Sequence, residues 1–170
     1  MPGFLGAHGY EPGPTQRPLL AGAIAGLFAT FPATGVLYFF GSLRVEASIL
    51  GLSEAMTLGL GLPLMAVAGA VYGRLFGRAA NEVYGGWLFG MAFGFALWAG
   101  GGVMTLPLAS GGLAPAGKGA IGLFLSLIAW GAALGIGYPF IHRPLHERIE
   151  TAARRMGPSV GTSRIKSRDR

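Results

Sequence analysis

Charged residues divide this chain into long uncharged runs separated by short polar connections. No Asp, Glu, Lys or Arg occurs over 18–43, 55–73, 83–117 or 119–142, runs of 26, 19, 35 and 24 residues. A helix needs about 20 predominantly apolar residues to cross a bilayer. The pattern predicts four transmembrane helices over 19–41, 56–77, 83–109 and 119–141. Outside them lie an irregular arm over 1–18, short connections, and a tail from 142 onward. The fold class expected is an all-α integral membrane four-transmembrane-helix bundle.

The tail carries a second periodicity. Leu145, Ile149, Ala152, Ala153 and Met156 fall on one helical stripe, with His146, Glu147, Arg148, Glu150, Arg154 and Arg155 opposite. Pro144 suits a first turn and Gly157-Pro158 a stop. This predicts a C-terminal amphipathic cytoplasmic helix over 142–157, resting on the leaflet, and a basic disordered tail over 158–170.

Composition sharpens the picture. Of 170 residues, 52% are hydrophobic and 12% charged, about half the charge of an ordinary soluble domain. With no cysteine, disulfides, thiolate zinc sites and thiol catalysis are excluded. The first residues lack a basic segment leading into a short apolar stretch, so no cleavable signal peptide is expected. Of 13 basic residues, four spans would put all but Arg44 and Lys118 on the side of the termini. Positive-inside reasoning then makes both termini cytoplasmic. The net +5 from Arg143 onward favours a bilayer with anionic headgroups. Arg74, Arg78, Arg143, Arg148, Arg154 and Arg155 are the candidate headgroup contacts. Nucleic acid is not expected as a partner.

The 31 glycines fall at four-residue spacing within the spans: Gly22 and Gly26; Gly69, Gly73 and Gly77; Gly86, Gly90 and Gly94; Gly131 and Gly135. Such spacing aligns small residues on one helix face and lets backbones approach. These ten are the candidate helix-packing residues, serving contacts within the bundle or with other membrane subunits or a second copy. A duplication is also suggested. Gly22 and Gly26 match Gly90 and Gly94 at an offset of 68, and Ala66, Gly69 and Tyr72 match Ala132, Gly135 and Tyr138 at 66. Tyr38, Tyr72, Tyr84, Trp87 and Tyr138 lie near span ends, where an aromatic interfacial belt is expected; Trp98 and Trp130 lie deeper and suit packing. Pro32 should bend the first span, with Thr30 and Thr34 placed to satisfy the carbonyls it frees.

Chemistry is sparse. No ionisable residue falls at mid-membrane depth, which argues against proton relays and ion-coupled transport. His142 and His146 stand four apart, a spacing that can chelate a metal, but no third ligand is near, and neither metal nor cofactor is expected. The stretch GGGVMTLPLASGGLAPAGKG has the composition of a phosphate loop without its order.

The segments LLAGAIAGLFAT, GAVYGRLFG, GGWLFGMAFGFALW with MTLPL, and WGAALGIGY together resemble small four-span bacterial inner-membrane proteins, the YagU-like group. The resemblance covers about Leu19 to Ile141. It implies a bacterial cytoplasmic membrane location, no established activity and no site residues. The expected function is that of a non-enzymatic accessory or structural subunit of a membrane complex, or of a self-associating bundle. The alternative is a channel or carrier for a small neutral or amphipathic molecule, with a path near Thr30, Pro32, Thr34 and Gly100–Gly102. A lipid-directed enzyme would need Arg74, Arg78, Glu82 and the two tail histidines to converge.

Overall fold

The computed structural model describes residues 18–77, 85–113 and 115–156, except for the side chains of 109 and 143–156. Within them the chain forms α1 (Pro18–Phe40), α2 (Ser42–Leu50), α3 (Glu54–Phe76), α4 (Gly86–Leu97), a π-helical continuation (Trp98–Thr105), the single turn α5 (Leu106–Ala109) and α6 (Gly117–Met156). No strand occurs among the described residues. Four helical stretches, Pro18–Phe40, Glu54–Phe76, Gly86–Leu108 and Gly117–His142, are long and apolar enough to cross a membrane. The shortest are 23 residues, or about 35 Å at 1.5 Å per residue.

The most extensive contacts join α1 to α6, α1 to α3, and α4 to α6, while α3 and α4 touch sparsely. At two of these interfaces glycines let the backbones meet. A Cβ on Gly22 would meet the Gly69 carbonyl, one on Gly26 would lie 2.6 Å from Met65 O, and one on Gly73 would meet Pro18 O. In the other half, a Cβ on Gly90 would meet Gly131 O, one on Gly94 Leu127 O, and one on Gly135 Gly86 O. The second set is the first shifted by 68 residues in the leading helix and by 62 in the trailing one. The contacts therefore pair Gly69 with Gly131, one turn away from the Gly135 that sequence similarity selects. The tenth candidate, Gly77, would put a Cβ 2.7 Å from the Tyr138 hydroxyl.

Between α3 and α4 the space is filled by rings. Tyr72 lies 5.4 Å from Phe76, 5.6 Å from Phe93 and 6.0 Å from Tyr138, measured between ring centroids. Phe76 stacks on Phe89 at 6.0 Å. Ala21, Ala25, Ala29 and Ala33 of α1 pack into the same core with Tyr72, Trp130, Leu134 and Tyr138. Tyr72 and Tyr138 are thus wholly buried and do not form an interfacial belt. Each has a partner inside: the Tyr72 hydroxyl donates to Gly86 O at 3.0 Å and that of Tyr138 to Gly73 O at 3.5 Å. Tyr38 and Trp87 are exposed, and Tyr84 lies outside the described residues. Trp130 is fully buried and donates from Nε1 to Gly26 O at 2.9 Å.

Two local expectations are revised. The hydroxyl of Thr30 donates to Gly26 O at 2.9 Å, whereas the carbonyl freed by Pro32 four residues earlier would be that of Phe28. The helix of the fourth span also does not end near Ile141, because α6 continues unbroken to Met156. The amphipathic face assigned to 142–157 depends on side chains outside the described set.

The glycine contacts make a direct prediction. Gly131→Ala drives a methyl into the Gly90 backbone and should destabilise the detergent-solubilised protein by about 1–3 kcal/mol. Gly137→Ala meets nothing within 4 Å and should be neutral or stabilising by about 0.5–1 kcal/mol. Thermal melting of the two variants checks this; equal melting temperatures would mean that the glycine contact does not set the spacing.

Candidate functional site

The connection between the first two spans forms a short helix. Gly41 and Gly51 both adopt left-handed backbone, φ 68° and 67°, a region costly for any residue with a Cβ. Gly41 lets the chain turn out of α1, and Gly51 closes α2 with Leu52 N–H donating to Ala47 O at 2.9 Å, the closure of a left-handed C-cap. Ser53 then caps α3 by accepting from the Met56 N–H at 3.2 Å. Arg44 reaches Glu54 at 3.2 Å across the turn. With 85% and 38% of these two side chains exposed, that pair adds well under about 1 kcal/mol.

These devices hold the inner face of α2, with Ser42, Leu43 and Ala47 buried, over the ends of α1, α3 and α6. Beneath it is a cavity of about 110 Å³. Its wall contains Thr30, Thr34 and Leu37 from α1, Leu43 and Glu46 from α2, Thr57, Leu58, Gly61 and Met65 from α3, and Leu123, Ser126, Leu127 and Trp130 from α6. Along α1, α3 and α6 these residues run from the α2 end down to Thr30, Met65 and Trp130. Tyr72, Leu134 and Tyr138 fill the next turns of the core, so the chamber has a floor.

Glu46 is the unusual group in this wall. Its Oε1 atom is buried with no hydrogen-bond partner, and burial pushes the carboxyl up from the ordinary range to about 7. Removal from water penalises the charged form, and no cation among the described residues offsets the penalty. Arg44 is engaged with Glu54, and Lys118 is exposed at the start of α6. The Ser42 hydroxyl is likewise buried without a partner.

The residues singled out from sequence distribute unevenly. Thr30 and Thr34 enter the cavity. Gly100–Gly102 do not; they lie in the π-helical segment, where Thr105 Oγ1 donates to Gly100 O at 2.6 Å. Arg74 is exposed near the opposite end of α3. His142 is buried and stacks on Tyr138, 5.3 Å between centroids. Arg78 and Glu82 lie outside the described residues, as do the side chains of Arg143, His146, Arg148, Arg154 and Arg155. Among the described residues no group of three His, Asp or Glu could hold a metal. Sequence reading missed Glu46, α2 and the close approach of Gly122, where a Cβ would strike Ser42 and Phe40. The signal available was the short amphipathic run Leu43, Glu46, Ala47, Leu50 between Gly41 and Gly51.

A carboxyl raised by burial stabilises the fold only while protonated. Its contribution is complete below about pH 4.5 and is lost as pH rises through 7. Glu46→Gln should therefore melt like the parent near pH 5. At pH 8 it should be more stable by about 1–2 kcal/mol. A pH-independent difference would exclude the buried-carboxyl account.

No family model matches the chain, and neither does any curated protein or solved structure.

Proposed function

We propose that the chain is a non-enzymatic integral membrane protein acting as an accessory or structural subunit, joined to other membrane subunits or to a second copy. In this reading it lies in the bacterial cytoplasmic membrane with both termini cytoplasmic. Arg74, Arg78, Arg143, Arg148, Arg154 and Arg155 meet anionic headgroups. The ten glycines at small-xxx-small spacing pack its helices. The α2 end, with its cavity, then faces the periplasmic leaflet.

The observation that carries this reading is a set of glycines left over after the bundle has closed. Gly35, Gly59, Gly100 and Gly101 are exposed, and a Cβ on any of them would meet nothing within 4 Å. Within a helix, glycine costs about 0.5–1 kcal/mol relative to alanine, a cost that close approach of a further helix would offset. Large apolar side chains flank them, among them Leu60, Val103 and Met104. Gentle detergent extraction followed by native mass measurement should find the protein in a larger assembly. Because the chain has no cysteine, Gly101→Cys should also yield a specific disulfide or cross-link in membranes. A lone monomer with no cross-link would overturn the reading.

The cavity favours a second reading, in which the bundle binds a small amphipathic molecule. Its closed floor suits a binding chamber better than a continuous channel. Filling it with Gly61→Leu, where a Cβ meets nothing within 4 Å, should abolish binding while the protein stays folded. Retained binding would place the ligand elsewhere.

A further inference from the structure

The chamber's wall has a chemical bias that identifies what it would hold, if the second reading is right that it binds a ligand. Three of its hydroxyls have already committed their hydrogens to main-chain carbonyls. Thr30 donates to Gly26 O at 2.9 Å, Thr57 to Ser53 O at 3.0 Å, and Ser126 to Leu123 O at 2.8 Å. What each has left is acceptor lone pairs. Glu46 adds a carboxyl whose Oε1 is buried and unpartnered. The wall contains no Lys, Arg, His, Asn or Gln. The chamber is mostly apolar, and apart from the Thr34 hydroxyl its few polar atoms offer acceptors, which is complementary to a largely apolar ligand that brings hydrogens and positive charge.

We propose that this chamber binds a small amphipathic organic ammonium cation, its N–H donors on Glu46 and the threonine and serine oxygens, its apolar body against Met65, Leu127 and Trp130. Charge complementarity selects this occupant over a neutral or anionic one. A carboxylate with one oxygen buried and unpartnered is costly, and an ammonium ion in contact with it gains a charge-assisted hydrogen bond. Size sets a limit as well. A dry cavity of about 150 Å³ accommodates benzene, so about 110 Å³ suits a smaller body of roughly four to five heavy atoms. Glu46 is thereby a specificity residue, and the desolvation of its charge is the source of the selectivity.

The test uses the full chain in detergent at pH 8 and three small probes of similar shape: isobutylamine, isobutanol and isobutyrate. Binding is read by calorimetry and by ligand-observed NMR. Isobutylammonium should bind at least tenfold more tightly than isobutanol, and isobutyrate should not compete. Glu46→Gln should erase the preference for the amine while its melting temperature is held or raised, which separates lost recognition from lost folding. Gly61→Leu should weaken both the amine and the alcohol. Equal affinity for amine and alcohol in the parent, or a preference that survives Glu46→Gln, would overturn the proposal while leaving the chamber as a binding site. Failure of all three probes would remove the binding chamber as well.

Discussion

Helices in this protein touch through their backbones, and that contact governs the rest of the architecture. In a bilayer there is no hydrophobic drive for one apolar helix to leave lipid for another, so association depends on close packing and on hydrogen bonds. The Gly22–Gly69 and Gly90–Gly131 contacts supply the first. With no Cβ at these positions, the carbonyl of one helix occupies the space where its neighbour's side chain would begin. The spacing so fixed determines which side chains can reach across the bundle and where space is left over.

The hydrogen bonds follow from the same contacts. The three large polar aromatics of the core donate to Gly26, Gly73 and Gly86. These acceptors are glycines of the packing faces themselves, where the missing side chain exposes the carbonyl to a third helix. A buried Tyr or Trp needs a partner for its polar atom, and in lipid an unmade hydrogen bond is more costly still. One glycine thus serves two interfaces, and replacing it would disturb a contact and a hydrogen bond together.

What could be read from the sequence follows from what is local. The spans were legible because excluding charge from hydrocarbon is a property of each residue, whatever it packs against. The short helix α2 was not, since nine residues containing Arg44 and Glu46 look like any polar connection when charges are counted for topology. Tyr72 and Tyr138 were assigned to the interface because position along a span is readable and orientation around it is not. The register of the two halves was one turn out for a related reason. Residues four apart on a Gly- and Ala-rich helix are nearly equivalent in sequence, and only the contacts distinguish Gly131 from Gly135. Glu46 was invisible as a site because its character comes from α1, α3 and α6 closing around it.

The cavity itself arises where the glycine contacts stop. The last of them in the first half is Gly26 against Met65, and in the second half Gly94 against Leu127. Toward the α2 end, the leading helix of each pair next carries a side chain, Thr30 in one and Trp98 in the other, so both must widen. In the second half the widening is filled: Trp98 stacks edge-on against Phe124 at 5.0 Å, with Phe95 6.5 Å from the same ring. By the repeat that relates the halves, the position of Trp98 corresponds to Thr30. A small hydroxyl stands where the other half has an indole, and volume that packing would otherwise consume stays open beneath α2. Dense packing is the rule for protein interiors, and in one half of this chain the aromatic residues that would satisfy it are absent. The same half carries the unpartnered carboxyl at the upper end of the space. The two departures from good packing and from polar pairing therefore coincide, as they would where stability has been given up for a site.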